Sequence, residues 1–401
     1  MAIVKPFQAH RPIQSLVKDI ISVPYDVIDS EEARKLAKNK PHSFLQVIRP
    51  EIDLPENTPL YSEEVYRKGR ENLTDLINSP SYLQDKEEAL YLYKLTWEGR
   101  SKSGIFGCVS TKEYDEGKLL KHELTRPVKE DDRTKHILTQ QAHAEPVMMT
   151  FNDTEGISNL MTQIESTNPI YQIEIDEVEH TIWKINDYST FNKSFSRIKS
   201  LYIADGHHRC ASASRVAKLM ASQNPEHTGE EDYNFFPAVI FPMQQMRILA
   251  YNRIIFSLPN NFLELIESKL TIEKTSQSIP KKKGDVCLYI DKIWYTVSLP
   301  ESEHTDIASG LDVSRLQEYL LEPLLGIQNQ RTDTNISFVG GVKGTKYLES
   351  LVNSGKADMA ISMYPTDISE LVAVSDANLL MPPKSTWFEP KLRSGFLVHT
   401  F

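Results

Sequence analysis

The stretch SLYIADGHHRCASASRVAKLMAS, Ser200–Ser222, decides how the rest of the chain is read. Ser200–Asp205 is short and mostly apolar, as a buried strand is, and the Ala- and Ser-rich run after Arg209 has the character of a helix. Gly206 lies between them, so a strand turns almost directly into a helix. Such a turn presents free backbone N–H groups and the positive end of the helix dipole, which suits phosphate. Gly206 permits a close backbone approach or a positive φ. Arg209 can grip phosphate oxygens with its planar fork, and His207 and His208 can donate to phosphate or move a proton. Asp205 can hold Mg²⁺ or orient a histidine. The same residues could instead form an Asx cap with ordinary surface hydrogen bonds. Five polar or special residues at the end of an apolar strand favour a site.

Working outward, a second concentration of charge is His122-Glu123-Leu124-Thr125-Arg126-Pro127-Val128-Lys129, followed by Asp131-Asp132-Arg133. Lys129 and Arg133 stand four apart and can share one helix face as a phosphate clamp, while His122 and Glu123 have the chemistry of proton transfer or metal binding. A solvated, salt-bridged helix is the alternative. A third feature is Ser22-Val23-Pro24-Tyr25-Asp26-Val27-Ile28, in which Pro24 fixes an extended turn ahead of Asp26. Asp26 could be a general base or a helix cap, and Glu31 and Glu32 follow it closely. The fourth is Met381-Pro382-Pro383-Lys384-Ser385-Thr386-Trp387-Phe388, with Lys391 after Pro390. It reads either as a rigid loop over an anion or as a tail that packs Trp387 and Phe388. We expect His122, Lys129 and Arg133 to converge on the pocket of Asp205–Arg209.

The remaining signals alternate between helix and strand. Ser30 caps an expected helix over ARKLAKNK, and Ser62–Ile77 is amphipathic. Ala89–Trp97 and Ile105–Thr111 form an expected hairpin around a Glu98–Gly104 turn, and IYQIEIDEV with EHTIWKIND forms another. FFPAVIFPM is a buried strand. NISFVGG, KGTKYLESLVNSG and ADMAISMYP give strand, helix and strand, as in a βαβ or similar two-layer unit. The turn-rich stretches Ser257–Asn261 and Ser276–Gly284 are candidate boundaries, giving residues 1–258 and 259–401 as two regions. The class is α+β, mixed α/β, in two lobes.

Composition excludes several functions. The 401 residues are 40% hydrophobic and 25% charged, enough to build a core, and the net charge of −10 gives no global basic field for nucleic acid or anionic membrane. No apolar run approaches the roughly 18 residues of a membrane span, and the N-terminus lacks a signal-type apolar region. The three cysteines, Cys108, Cys210 and Cys287, are far apart, so neither a disulfide framework nor a structural zinc site is expected. A cytoplasmic protein is the expectation. GGVKGT at Gly340–Thr345 is no phosphate loop and reads as a helix-entry turn, and no GxGxxG after a strand, GxSxG, HExxH or protein-kinase motif set occurs.

LYIADGHHR, with HELTxPxKxDDR upstream, PYDVI near the N-terminus and MPPKSTWFxPK near the C-terminus, resembles a bacterial and archaeal family known as domain of unknown function number ten-fifteen. The landmarks run from Pro24 to Lys391; Cys210 stands where that family usually has an aromatic. More distantly, Asp205-Gly206-His207-x-Arg209 is similar to the D-G-H-x-R signature of free-serine kinases in the ParB/sulfiredoxin superfamily. The resemblance implies a ParB/sulfiredoxin-like nucleotide-binding core over residues 1–258 and an additional lobe over 259–401, whose tail could return to the site. It implies ATP or ADP with Mg²⁺ as cofactors, signature roles for Asp205, His207 and Arg209, and a base from an N-terminal acid, for which Asp26, Glu31 and Glu32 are positional candidates.

The leading expectation is therefore a kinase that moves phosphate from ATP or ADP to a small hydroxyl metabolite, with free L-serine the best single guess. The expected site comprises Asp26, Asp205, His207 and His208 as catalytic groups. Gly206, Arg209, His122, Glu123, Thr125, Lys129, Arg133 and Lys384 are expected to bind the nucleotide, with Asp205 also the metal ligand. Alternatives are a ParB-like nucleotide-binding regulator without turnover and sulfiredoxin-like redox chemistry through Cys210. Neither membrane nor nucleic acid is an expected partner; a homo-oligomer stays open.

Overall fold

A computed structural model describes residues 2–401. The chain divides into two compact units: residues 2–120, Thr125–Met246 and Pro390–Phe401 form unit 1, and Lys121–Leu124 with Arg247–Glu389 form unit 2. The division falls at Met246/Arg247, and the last twelve residues belong to unit 1.

Unit 1 is built on a nine-stranded mixed sheet. Its strands are β1 (Val4–Lys5), β2 (Leu90–Trp97), β3 (Arg100–Ser110), β4 (Leu119–Leu120), β5 (Val147–Phe151), β6 (Tyr171–Ile175), β7 (Val178–Ile185), β8 (Leu201–Asp205) and β9 (Phe235–Pro242). The order is β4-β8-β5-β9-β3-β2-β7-β6, with β1 pairing β3. β9 is buried along its whole length because it is central, antiparallel to β3 and parallel to β5. A buried apolar cluster including Leu90, Leu92, Ile105, Val147, Met149, Phe151, Ile203 and Ile240 fixes its register.

Both expected hairpins form, but the first turn is tighter than the sequence suggests. Ser101–Gly104 pair with Thr96–Tyr93 as strand, leaving Glu98 and Gly99 as a two-residue turn with φ of 50° and 73°. A primed turn of this kind matches the strand twist, and the polar run Arg100–Ser103 had disguised the start of β3 as loop. The second hairpin turns in the same way at Asp176 and Glu177.

Four helices of unit 1 matter for the site: α1 (Ser30–Ala37), α2 (Glu63–Ile77), α3 (Pro127–Gln140) and α4 (His207–Gln223). The cap of α1 is Asp29 rather than Ser30. The Asp29 side chain accepts the Glu32 N–H while the Glu32 side chain accepts the Asp29 N–H, a reciprocal capping box that a serine one position later cannot make. Ser30 instead donates to Glu51 Oε1 at 2.8 Å. α2 packs on α3, and α3 on α4.

Unit 2 carries a six-stranded antiparallel sheet of β10 (Tyr251–Ile255), β11 (Thr271–Thr275), β12 (Asp285–Ile290), β13 (Ile293–Ser298), β14 (Ile336–Gly340) and β15 (Met359–Ser362), in the order β11-β13-β12-β15-β10-β14. The expected strand, helix and strand are β14, α5 (Gly344–Asn353) and β15. Both strands run antiparallel to β10, which lies between them, so the βαβ unit is split. The mixed helix and sheet content of both units is the α+β class read from the sequence.

Among the described residues, no helix is long and apolar enough to cross a membrane.

Candidate functional site

The site in unit 1 grows from the end of β8. The register of β8 against β5 shifts between Ile203 and Asp205, so the strand bulges at Ala204 before the chain turns. A bulge re-aims the side chain that follows it, here Asp205. Gly206 has φ of 108°, and a Cβ there would lie 3.0 Å from Arg209 Nε and 3.1 Å from its Cζ. Glycine is thus required twice, by backbone conformation and by the guanidinium folded back over the turn. α4 begins at the next residue.

Asp205 Oδ2 lies 3.1 Å from Lys391 Nζ and 3.8 Å from an Arg209 terminal nitrogen. Burial alone would raise the Asp205 pKa, but the Lys391 ammonium and the Arg209 guanidinium outweigh it and hold the carboxyl well below the usual range. The carboxylate is therefore ionised at neutral pH. Arg209 donates to the Pro146 carbonyl and is itself held charged: burial opposes the charge, and Asp205, Asp26 and Glu145 more than restore it.

Arg133, on α3, reaches the same neighbourhood. Its fork grips Asp132 Oδ2 through Nε at 3.0 Å and a terminal nitrogen at 2.8 Å, and its other terminal nitrogen stands 3.7 Å from Glu145. The guanidinium lies 4.0 Å from the centre of the Tyr25 ring. Glu145 Oε1 accepts the Tyr25 N–H at 3.1 Å and the Ser394 hydroxyl at 3.2 Å. Burial pushes the Glu145 carboxyl up, against the pull of Arg209 and Arg133. A small cavity is lined by Arg133, His136, Gln140, Glu145, Arg209 and Phe236 among others.

Of the residues expected from the sequence, the structure thus gathers Arg133 and Asp205–Arg209 in unit 1. Asp26 follows buried Tyr25 on an exposed position, and its charge is felt at Tyr25, Glu145 and Arg209. His207 is buried at the first position of α4. His208 Nε2 accepts the Arg126 N–H at 2.9 Å, which ties α4 to the start of α3. Thr125 donates to Glu130 at 2.7 Å, and Lys129 Nζ stands 6.0 Å over the Tyr61 ring; neither is shown in contact with the Asp205 cluster.

His122, Glu123 and Lys384 fall in unit 2. There His122 Nε2 is 3.3 Å from Thr386 Oγ1 and its carbonyl accepts the Met381 N–H, while Lys384 Nζ lies 5.3 Å over the Tyr251 ring. Glu31 and Glu32 are spent at the start of α1, Glu31 on Lys35 and Glu32 in the capping box. Cys210 is fully buried, and burial pushes its thiol well above the ordinary value. That removes the accessible thiolate on which redox chemistry depends.

Two members of the cluster were not assigned a role from the sequence. Glu145 precedes Pro146 and the apolar β5, a charged residue on the brink of a buried strand. Lys391 was noted with the fourth feature and as the end of the MPPKSTWFxPK landmark, but was not among the expected site residues.

The chain belongs to the family described as "Protein of unknown function (DUF1015)", whose model matches residues 4–314. Comparison with curated proteins finds no match. Three solved structures to which the chain is similar are a conserved hypothetical protein from Pyrococcus furiosus, a free serine kinase in complex with AMP, and SbnI with a C-terminal truncation from Staphylococcus aureus. The first is 13% identical with a TM-score of 0.36, over 73% of this chain and 95% of that one. The kinase is 12% identical with a TM-score of 0.38, over 73% and 91%. SbnI is 12% identical with a TM-score of 0.39, over 73% and 87%.

Proposed function

We propose that unit 1 binds the phosphates of ATP or ADP at the Asp205–Arg209 turn and transfers the terminal phosphoryl group to a small hydroxyl metabolite, free L-serine being the first candidate. The observation that carries the reading is the ionised Asp205, held between Lys391 and Arg209 beside the N-terminus of α4. The N-terminus of a helix and fixed cations suit an anion, and phosphoryl transfer depends chiefly on positioning and charge neutralisation. The D-G-H-x-R resemblance supports the same assignment.

In this reading Arg209 and the N–H groups after Gly206 hold phosphate oxygens. Asp205 fits a Mg²⁺ site as a single ionised carboxylate, since Mg²⁺ commonly takes one or two carboxylates together with nucleotide phosphates. Mg²⁺ would supply charge neutralisation on the transferred group. The acceptor oxygen bonds to the terminal phosphorus as the P–O bond to the nucleotide breaks, and the nucleotide leaves with that electron pair. The acceptor proton passes to the exposed carboxylate of Asp26. His208, occupied by the Arg126 N–H, positions the turn rather than moving the proton.

The test is a multiple-turnover screen of small hydroxyl metabolites with ATP or ADP and Mg²⁺, followed by mass spectrometry. A phosphorylated product in excess of protein is the expected result. Nucleotide binding with no product from any acceptor would leave a regulator, and a melting midpoint unmoved by millimolar nucleotide would remove the nucleotide reading itself.

A further inference from the structure

We propose that Lys391, carried on the C-terminal segment Pro390–Phe401, is a phosphate-binding residue of the Asp205 site. The inference rests on the nucleotide reading above and adds a residue that lies beyond the stretch matched by the family model, residues 4–314.

The segment that carries Lys391 is woven into unit 1. Ser394 and Ser22 exchange backbone hydrogen bonds at 2.9 and 3.1 Å, Tyr82 donates its hydroxyl to the Gly395 carbonyl at 2.6 Å, and Val398 and His10 exchange another pair at 2.8 and 3.0 Å. His399–Thr400 pairs with Ala142–His143. Phe396 and Val398 are fully buried, and Phe396 packs on Tyr93, Tyr171 and His180. On the other side of Lys391, the Pro390 carbonyl accepts from the buried Lys102 ammonium at 2.9 Å. The backbone on both flanks is therefore fixed during folding, and little ordering remains to be done when a ligand arrives.

These anchors also hold the segment without Lys391. Arg393 adds its own ion pair to Asp176. A tie through Lys391 would be redundant, whereas its chemistry is specific to where it ends. Lys391 and Asp205 keep 17% and 24% of their side chains exposed, against 9% for Arg209. Both partners of the pair thus keep part of their side-chain surface in solvent at the turn where phosphate is expected. An ammonium is a compact point charge with three donors, so a phosphate oxygen at the turn can join Asp205 among its partners. Paired with Asp205 throughout, Lys391 would stand as the second cation beside Arg209 when phosphate is bound.

The experiment compares wild type, Lys391→Met, Lys391→Arg and Arg393→Ala by calorimetric titration with adenosine, ADP and ATP in the presence of Mg²⁺, alongside melting midpoints. Lys391→Met should weaken ADP and ATP by about tenfold or more, the scale of one charged hydrogen bond, while adenosine changes less than about twofold. Lys391→Arg should recover most of the loss, and Arg393→Ala should lower the midpoint with ATP affinity unchanged.

Two outcomes overturn the proposal: ATP binding by Lys391→Met equal to wild type, or equal losses for adenosine and ATP. The second would make Lys391 a structural tie. If Lys391→Met does not fold, protection in wild type decides: bound ATP should shield Lys391 from an amine-reactive reagent, and unchanged labelling refutes the role. Wild type that binds no nucleotide would bring down the nucleotide reading as well, an outcome distinct from a nucleotide site that ignores Lys391.

Discussion

Glu145 holds the backbone N–H of Tyr25 on its Oε1 at 3.1 Å, across 120 positions of sequence. One buried carboxylate thereby fixes the segment that carries Asp26, stands 3.7 Å from the Arg133 guanidinium and lines the same small cavity as Arg209. The position of the proposed base and the charge balance of the proposed phosphate site depend on the same side chain.

Glu145→Gln keeps the shape and an acceptor for the Tyr25 N–H but removes the negative charge. Arg133 retains Asp132 and Arg209 retains Asp205, so compensation is partial. A loss of about 3 kcal/mol is expected, near the lower end for breaking a buried charge pair. Urea unfolding should show a lower midpoint at unchanged slope; a midpoint equal to wild type would mean that Glu145 is dispensable to the cluster.

Asp26→Asn separates the base from the binding site. Asp26 is exposed, so the melting midpoint should stay close to wild type, within the roughly 0.5 kcal/mol usual for surface substitutions. Nucleotide affinity should persist, and turnover should fall about a hundredfold or more. Wild-type turnover in this variant would return Asp26 to a structural role and move the base elsewhere.

Much of this arrangement was legible in the sequence because local signals carried it. β8, Gly206 and α4 follow from an apolar run, a glycine and an Ala-rich run in succession, and both hairpins follow from alternating β-formers. The parts that escaped are those set by distant pairing. Lys391 meets Asp205 across 186 positions, and nothing near either residue announces the other. Glu145 looks like any acid before a proline until folding brings it to Arg133 and into a cavity that Arg209 also lines. His122 and Lys129 stand seven apart in sequence, yet they belong to different compact units, because the chain passes into unit 2 for only four residues, Lys121–Leu124.

Cys210 gives a sharp test against redox chemistry. Its side chain is fully buried among the apolar residues behind β8, and burial holds the thiol protonated. Cys210→Ala should cost about 1 kcal/mol through the small void it leaves and should keep turnover within about threefold of wild type. Abolished turnover in a variant that still melts near wild type would reinstate the thiol as a reactive group.

Acid should weaken unit 1 through its buried histidines, and His180 makes the sign explicit. Its side chain is fully buried, with Nδ1 2.7 Å from the Tyr93 hydroxyl. Burial, reinforced by the Arg393 charge, lowers its pKa to about 3. The unfolded chain takes up a proton near pH 6.5, and the folded protein resists it until about pH 3. The unfolded state therefore binds more protons throughout that window. The histidine's contribution is fully present above about pH 6.5 and is lost as the pH falls toward 3, by up to about 1.4 kcal/mol per unit. His136 and His143, also held neutral by burial, act in the same direction. Replacing His180 by Phe removes one of these protons, so the difference in unfolding free energy between variant and wild type should shift in the variant's favour as pH drops from 6.5 to 4. A difference independent of pH over that range would show that His180 is protonated as readily in the folded protein as in the unfolded chain.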